Sequence, residues 1–328
     1  MSQGGFEWLT GSRTLPERLR DGVVAIGNFD GVHRGHQAVL DRALEEARAR
    51  GMPALVLTFE PHPRSVFRPD IPLPRITPAP VKARLIRLLG FDAIVEQEFS
   101  RAFAQMSADE FIDDVLVRRL GVGHVVTGFD FHFGRNRQGD PAFLVAAAKS
   151  RGFGVTQVEA FSDEGGDIVS SSRIRTLLEA GDVSQAAGLL GYRFTVESEI
   201  VHGKKLGRTL GFPTANMVLP DDAVLRHGIY AVRLRRANGD LHDGVASFGR
   251  RPTVESDGQP LLETYVFDFA GDLYREVCDV SFFGFLRGEE KFDGLDALLD
   301  QMNRDKEEAR ALLSAAAPLS ALDLAVAF

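Results

Sequence analysis

The sequence of 328 residues has little cysteine and no long apolar run, and each shortage excludes a class of protein. Its single cysteine, Cys278, has no second cysteine for an intramolecular disulfide, and the chain lacks the Cys and His spacing of a zinc site. No stretch reaches the ~20 apolar residues needed to span a bilayer. The amino-terminal segment has neither the basic nor the continuous apolar region of a signal peptide. A cytoplasmic protein that is neither secreted nor inserted into a membrane is therefore predicted.

Positive charge is also in short supply, because 38 Lys and Arg residues face 46 Asp and Glu residues, for a net charge of -8. This is the wrong sign for a protein that binds nucleic acid mainly by neutralising phosphates, so no nucleic-acid partner is expected. Apolar residues make up 44% and charged residues 26%, which is typical of a soluble globular chain. At roughly 100 to 200 residues per domain, the length predicts about two domains.

The first half alternates short apolar runs with amphipathic stretches, a pattern that predicts βαβ units and a parallel sheet. Strands are predicted over residues 22–27, 54–59, 122–128 and 155–160. Helices are predicted over residues 35–50 and 171–180, after a capping box of Ser107 and Glu110, and after the N-cap residue Asp140. Seven of the 15 prolines lie in residues 61–80, which predicts a long ordered loop there.

After Gly191 the pattern changes to strand-like segments separated by Gly, Asn, Asp and Pro. These segments are residues 193–201, 228–237, 241–248, 261–270 and 275–286. They predict a small antiparallel β-barrel, and the apolar spacing from Leu295 to Met302 predicts a helix packed against it. Because the period changes near residues 182–190, the predicted domains are 1–186 and 187–328.

The segment GNFDGVHRGH (residues 27–36) lies between a predicted strand and a predicted helix. Glycines at such a junction let the backbone approach a ligand, and the first N–H groups of the helix attract phosphate. His33 and His36 are three residues apart, so both imidazoles can face one phosphoryl group. Nucleotidyl transfer builds negative charge on the α-phosphate, which histidine donors stabilise. Two histidines near a turn are equally compatible with capping or solvation.

A second cluster, SSSRIR (residues 170–175), places hydroxyl and guanidinium groups at the start of a predicted helix. Such groups suit triphosphate oxygens, through helix-terminal hydrogen bonds and forked arginine contacts. Ordinary N-capping explains one serine but not three beside two arginines. Together with the histidine pair, the cluster favours a nucleotide site.

The segment GKKLGRTLGFPTAN (residues 203–216) combines glycines, three cations and a stiff Pro-Thr-x-Asn corner, and it is not a Walker A sequence. Thr214 and Asn216 offer oxygens two residues apart, on the same side of an extended backbone. This suits a magnesium ion that keeps several waters and shares phosphate ligands. Taken alone, a turn with a satisfied Thr and Asn is the simpler explanation.

Four segments of the first half resemble, in the same order, segments of the adenylyltransferase module of bacterial bifunctional riboflavin kinase/FAD synthetases. They are GNFDGVHRGH, TFEPHP, GFDFHFGRNRQGD and VSSSRIR. The resemblance implies a Rossmann-like α/β nucleotidyltransferase domain. The residues implied to bind ATP are Gly27, Asn28, Phe29, Asp30, His33, His36, Ser171 and Arg173, with His33 and His36 catalytic. His62 and Asp130 are implied to lie at the FMN end of the cleft. Phe129, Phe131 and Phe133 either contact the flavin ring or belong to the core.

Four segments of the second half resemble the riboflavin kinase module of the same family. They are GRTLGFPTAN, HGIYAV, GRRPT and LLETYVFDF. The residues implied to bind ATP there are Gly203, Lys205, Gly211, Pro213, Thr214 and Asn216. Thr214 and Asn216 are also implied to hold Mg²⁺, and Arg287 to contact flavin or nucleotide. Glu263 is implied to be the base that accepts the proton of the ribityl 5′-hydroxyl. Four positions depart from the family pattern: Ser172 for Thr, His132 for Arg, Ser247 for Asn, and Arg275 for Gly.

The sequence therefore predicts a bifunctional enzyme that phosphorylates riboflavin to FMN with ATP and then adenylylates FMN to FAD, releasing pyrophosphate. The expected partners are ATP, riboflavin and FMN with Mg²⁺, and a homo-oligomer is compatible with the sequence. Another adenylyl or cytidylyl transferase is an alternative that the Pro-Thr-Ala-Asn segment disfavours. A non-catalytic flavin carrier is disfavoured by the intact site residues, and an RNA-binding barrel by the lack of a basic stripe with exposed aromatics. The apolar carboxyl-terminal segment docks either on this chain or on another subunit.

Overall fold

Buried apolar strands form a parallel sheet in the first half of the chain. The computed structural model describes residues 5–11, 14–203, 211–250 and 258–328. The strands within this part of the first half are β1 (Glu7–Thr10), β2 (Val23–Ile26), β3 (Ala54–Glu60), β4 (Ala93–Glu98), β5 (His124–Gly128) and β6 (Gly154–Val158). They are ordered β1-β4-β3-β2-β5-β6, and each neighbouring pair is parallel. The predicted α/β sheet is thus confirmed, whereas strands β1 and β4 were not predicted from the sequence.

Most helices around this sheet begin at a residue whose side chain caps them. They are α1 (Arg34–Arg50), α2 (Pro63–Phe67), α3 (Ala79–Leu89), α4 (Ala108–Glu110), which continues as a π-helix over Phe111–Leu120, and α5 (Pro141–Arg151). The capping box of Ser107 and Glu110 is present, and the Asp140 carboxylate accepts a hydrogen bond from the Phe143 N–H (2.7 Å). The proline-rich segment is irregular apart from α2, and α3 begins just before its end.

The strand order places a topological switch point between β2 and β5. From β2 the chain adds β3 and β4 on one side and then returns to add β5 on the other side. In open parallel sheets, ligands bind outside the carboxyl ends of the strands at such a point. The loops after β2, β3 and β5 carry GNFDGVHRGH, EPHP and FDFHFG. The topology therefore brings three of the four nucleotidyltransferase-like segments to one edge of the sheet.

In the described part of the second half, antiparallel strands close a barrel with the order β10-β11-β8-β7-β12-β9. The strands are β7 (Thr195–Val201), β8 (Thr214–Val218), β9 (Gly228–Arg235), β10 (Leu241–Arg250), β11 (Pro260–Val266) and β12 (Val277–Arg287). The helices are α6 (Ser171–Ala180), α7 (Val183–Leu190), α8 (Leu295–Ala315) and α9 (Ala321–Ala327). The barrel and its carboxyl-terminal helix are as predicted, although β8 was expected to be a corner.

Residue contacts divide the chain into two units. The first contains Met1–Leu73 and Thr77–Ser170, and the second contains Pro74–Ile76 and Ser171–Phe328. Helix α6 belongs to the second unit, where the Arg226 N–H donates to the Leu178 carbonyl (3.1 Å). Among the described residues, none of the helices has both the length and the apolar character that a bilayer crossing requires.

Candidate functional sites

The two histidines of the first unit form one stacked pair at the amino end of α1. His33 is the N-cap residue, and its Nδ1 accepts a hydrogen bond from the His36 N–H (3.3 Å). The ring centroids are 3.6 Å apart with an interplanar angle of 17°. His33 is buried and His36 is partly exposed. Both imidazoles therefore lie beside N–H groups that attract anions, as the phosphate prediction requires.

The environment of His36 disfavours its protonated form. Burial lowers the pKa of His36 well below its ordinary value of 6.5, and the charges of His33 and Lys82 lower it further. Its Nδ1 is buried and has no hydrogen-bond partner among the described residues. His36 is consequently neutral at pH 7 in the unliganded protein, and a bound phosphate would raise its pKa.

The loop before His33 has a strained backbone. Phe29 (φ 49°) and Val32 (φ 40°) are both left-handed, which is rare for a β-branched residue such as valine. Asp30 is buried, and its Oδ1 accepts hydrogen bonds from the Thr77 N–H (3.0 Å) and Oγ1 (3.4 Å). A Cβ added at Gly27 would lie 2.9 Å from the Phe29 ring. Gly27, Phe29 and Asp30 thus hold this loop in shape, and their contact with ATP remains a prediction.

A buried lysine beneath this loop was not among the site residues predicted from the sequence. Lys82 on α3 is fully buried, and its ammonium donates to the Asn28 carbonyl (3.2 Å), Thr58 Oγ1 (3.1 Å) and Glu60 Oε1 (2.6 Å). The only signal in the sequence is a charge among the apolar positions of an amphipathic helix. The Asn28 Oδ1 is buried without a partner in the described part of the chain, as expected of a group that awaits a ligand.

The expected FMN end of the cleft has both polar and aromatic side chains. His62 caps α2 by accepting a hydrogen bond from the Arg64 N–H (3.1 Å), and Asp130 is exposed just after β5. Phe129 is 43% exposed, whereas Phe133 is buried in the core and stacks on the partly buried Phe131 (5.3 Å). Of these three rings, Phe133 is a core residue and Phe129 is the most exposed. The roles of His62 and Asp130 stay predictions.

Ser171 and Arg173 lie in the first turn of α6, as predicted, and both are partly exposed. By its contacts α6 belongs to the second unit, and Arg175 Nε donates to the Pro74 carbonyl there (2.7 Å). That Ser171 and Arg173 bind the same ATP as His33 and His36 stays a prediction.

In the barrel, strand register aligns the residues predicted for phosphoryl transfer. Asn216 on β8 is the direct partner of Glu263 on β11, and Glu263 is also the partner of Ser247 on β10. Side chains directly opposite each other have Cβ atoms ~5 Å apart and share one face of the sheet. Asn216 is buried and Glu263 is partly buried. The structure therefore brings Asn216 and Glu263 together, with Ser247 beside them.

Small residues and internal hydrogen bonds hold Asn216 in place. Its Nδ2 donates to the Thr214 carbonyl (3.0 Å), and a Cβ added at Gly203 would lie 2.7 Å from Nδ2. Gly211 has a left-handed φ of 83°, and Pro213 leads into β8. Lys205, also predicted to bind ATP, lies outside the described residues.

A hydroxyl, an amide oxygen and a neighbouring carboxylate form a donor set of hard oxygen atoms, which fits Mg²⁺. Thr214, Asn216 and Glu263 supply these groups. In the described ranges, no cluster of three or more His, Cys, Asp or Glu residues is arranged to hold a metal ion. A divalent ion at this position would therefore depend on phosphate oxygens and water for its remaining ligands.

Arg287, predicted to contact flavin or nucleotide, forms a forked ion pair with Asp305 of α8. The Nε–Oδ1 and Nη2–Oδ2 distances are 2.9 and 2.7 Å, and the Asp305 carboxylate raises the pKa of Arg287. Gln301 donates to the same carboxylate (2.8 Å). Arg287 thus joins β12 to α8, and its contact with a ligand remains a prediction.

Comparisons with known proteins match both units. A family model described as FAD synthetase matches residues 15–173, and one described as riboflavin kinase matches residues 190–313. The bifunctional riboflavin kinase/FMN adenylyltransferase of Pseudomonas fluorescens is 42% identical over 318 residues, covering 95% of this chain and 99% of the relative. Its Escherichia coli K12 counterpart is 39% identical over 303 residues, covering 92% and 96%. A crystal structure described as a macrolide-efflux protein from Streptococcus pneumoniae has a TM-score of 0.81 at 30% identity, covering 92% and 98%.

Proposed function

The chain belongs to the family of bifunctional riboflavin kinase/FMN adenylyltransferases, and we propose that residues 187–328 phosphorylate riboflavin while residues 1–186 adenylylate FMN. The enzyme converts riboflavin and ATP to FMN, and FMN and a second ATP to FAD and pyrophosphate. The observation that carries the division is the presence of two chemically different sites. One is a stacked imidazole pair at a helix amino terminus, and the other is an asparagine opposite a carboxylate on the barrel.

In the adenylyl transfer, a phosphate oxygen of FMN forms a bond to the α-phosphorus of ATP as the bond to the pyrophosphate oxygen breaks. His33 and His36 donate hydrogen bonds to the α-phosphate, on which negative charge grows, and the amino end of α1 adds its N–H groups. The strained loop fixes both rings before ATP arrives, so little reorganisation is needed during the reaction.

In the phosphoryl transfer, Glu263 accepts the proton of the riboflavin 5′-hydroxyl while that oxygen attacks the γ-phosphorus and ADP leaves. Asn216, directly opposite Glu263, orients the phosphate end of the nucleotide. When bound by Thr214 and Asn216, Mg²⁺ supplies positive charge to the phosphate oxygens. We also propose a cytoplasmic location, where the free, buried thiol of Cys278 stays reduced.

Two substitutions test whether the sites are separate. His36→Ala should convert riboflavin to FMN but lower the rate of FAD formation by roughly 10²-fold or more, because a transition-state donor is lost. Glu263→Ala should lower the kinase rate by roughly 10²-fold or more and still convert supplied FMN to FAD. Products are separated by chromatography after incubation with ATP and Mg²⁺.

Circular dichroism and a thermal unfolding profile like that of the parent protein are used to show that both units of each variant are folded. Glu199→Gln, an exposed glutamate on β7 of the same barrel, is the matched control and should keep both activities. A folded variant that loses both reactions at once would refute the division of labour, and a folded parent protein that yields neither FMN nor FAD would refute the function.

A further inference from the structure

Lys82 connects two loops that meet at the switch point of the sheet. Helix α3 places its ammonium between the Asn28 carbonyl, which follows β2, and Thr58 Oγ1 and Glu60 Oε1, which end β3. Thr58 Oγ1 also donates to the Asn28 carbonyl (3.1 Å), so these groups form one closed network. An ammonium has three N–H donors, so Lys82 can make these three contacts at the same time.

The Asn28 carbonyl is the point at which this network holds the strained loop. The next residue, Phe29, has a left-handed φ of 49°, and Val32, with φ 40°, directly precedes His33. Non-glycine residues persist in such conformations only where surrounding contacts fix them. A buried lysine with a carboxylate 2.6 Å away is a fixed contact of this kind.

We propose that Lys82 is a positioning residue of the adenylyltransferase site, which holds the loop of residues 27–33 and keeps a positive charge behind His36. This inference rests on the function proposed for His33 and His36. Lys82 does not need to touch ATP or FMN in this role, because its contacts reach the imidazoles through Asn28 and the backbone that follows it.

The charges around His36 support the second part of the proposal. The charged groups that act on it are His33 on its own loop and Lys82 from α3. Lys82 is in turn paired with Glu60 from β3, and Asp30 accepts a hydrogen bond from Thr77. The lysine charge is among the causes that lower the pKa of His36. Removal of that charge therefore favours a protonated His36.

Lys82→Met in the full-length enzyme tests the proposal, because methionine fills a similar volume without the charge. We expect FAD formation from FMN and ATP to slow by about 10²-fold, as for a misplaced catalytic group. The kinase reaction of the same molecule should be unchanged. The His36 ring signal, assigned with His36→Gln and followed by NMR against pH, should titrate at higher pH than in the parent protein. The corresponding inflection of kcat/KM for adenylylation should move the same way.

Two further variants separate charge from loop anchoring. Lys149→Met removes an exposed lysine on α5 of the same unit and should change neither rate nor titration. Thr58→Val keeps the charge but removes one anchor, so it should slow adenylylation less than Lys82→Met and leave the His36 titration in place. Should Lys82→Met fold poorly, Lys82→Met/Glu60→Gln removes both charges and is expected to show the same slow adenylylation.

The proposal is overturned if folded Lys82→Met or the double variant makes FAD at the parental rate. A slowed reaction with an unchanged His36 titration and pH profile would also overturn it, since it would indicate a structural role only. If the parent protein makes no FAD, the proposed function is wrong instead. The NMR titration would still show whether the charge of Lys82 lowers the pKa of His36.

Discussion

Arg275 adopts a left-handed backbone conformation (φ 66°) in the turn before β12, at the position where the family pattern has glycine. Its N–H donates to the Ile200 carbonyl (2.9 Å), so pairing of the turn with β7 fixes this geometry whichever side chain is present. A side chain in this region costs ~1 kcal/mol because its Cβ crowds the backbone. The departure from glycine therefore changes the strain and leaves the turn itself intact.

Arg275→Gly should raise the free energy of unfolding by about 1 kcal/mol, less the entropy that glycine adds to the unfolded chain. In urea denaturation the midpoint should rise with an unchanged slope. Arg275→Ala is the control, because it removes the side chain but keeps the Cβ, and it should give no such gain. A lower midpoint for Arg275→Gly than for Arg275→Ala would contradict this explanation.

At the scale of elements, helix α9 depends on the barrel for its stability. It has 7 residues, too few to be helical alone in water. Arg235 donates to the carbonyl oxygen of Phe328 (2.9 Å) and Arg233 to that of Ala327 (3.3 Å), which satisfies unpaired groups at the end of the helix. Asp323 is fully buried and ion-paired with Arg193. The carboxyl-terminal segment thus docks on its own chain, which is one of the two arrangements that its sequence left open.

Asp323→Ala should lower the free energy of unfolding by about 3 kcal/mol, because it leaves the half-buried Arg193 guanidinium without its carboxylate. Burial already lowers the pKa of Arg193, which shows that this cation is poorly solvated. Asp300→Ala, on the exposed face of α8, is the matched control and should stay within ~0.5 kcal/mol of the parent protein. Equal losses in the two variants, measured by thermal or urea unfolding, would show that the ion pair does not stabilise the docked helix.

At the scale of the whole molecule, the chain consists of two units with separate cores, and α6 belongs to the unit that contains the barrel. Arg226 contacts α6 twice, through its N–H to Leu178 (3.1 Å) and its guanidinium to Ala180 (3.4 Å). The change of period in the sequence places the boundary at residues 186 and 187, whereas the contacts divide the chain after Ser170. The difference is the segment that holds α6 and the first part of α7.

A fragment of residues 171–328 should therefore phosphorylate riboflavin and unfold cooperatively, whereas a fragment of residues 187–328 should be less stable because it lacks the α6 contacts. Thermal unfolding and kinase assays of both fragments compare the two boundaries. Equal stability and equal activity of the two fragments would indicate that α6 contributes nothing to the kinase unit.

The sequence by itself determined the elements whose signals are local. Strands β2 and β3 follow from short continuous apolar runs, because both faces of a central parallel strand are buried. Helices α1 and α6 follow from apolar residues at helical spacing, because one face of each helix is buried. The same holds for Asp140 as an N-cap and for the histidine pair, since three residues at the start of a helix suffice to bring His33 and His36 together. The short strands β1 and β8 escaped prediction because four or five residues beside Gly and Pro carry too little periodicity.

Only the tertiary structure decided which distant residues meet. Strand register places Glu263 opposite Asn216, and the packing of α3 under the sheet brings Lys82 to Asn28, 54 positions away. It also gives Arg287 a carboxylate partner on α8. Such contacts depend on how strands pair and helices pack across the whole core, and a single sequence does not display these choices in any local pattern.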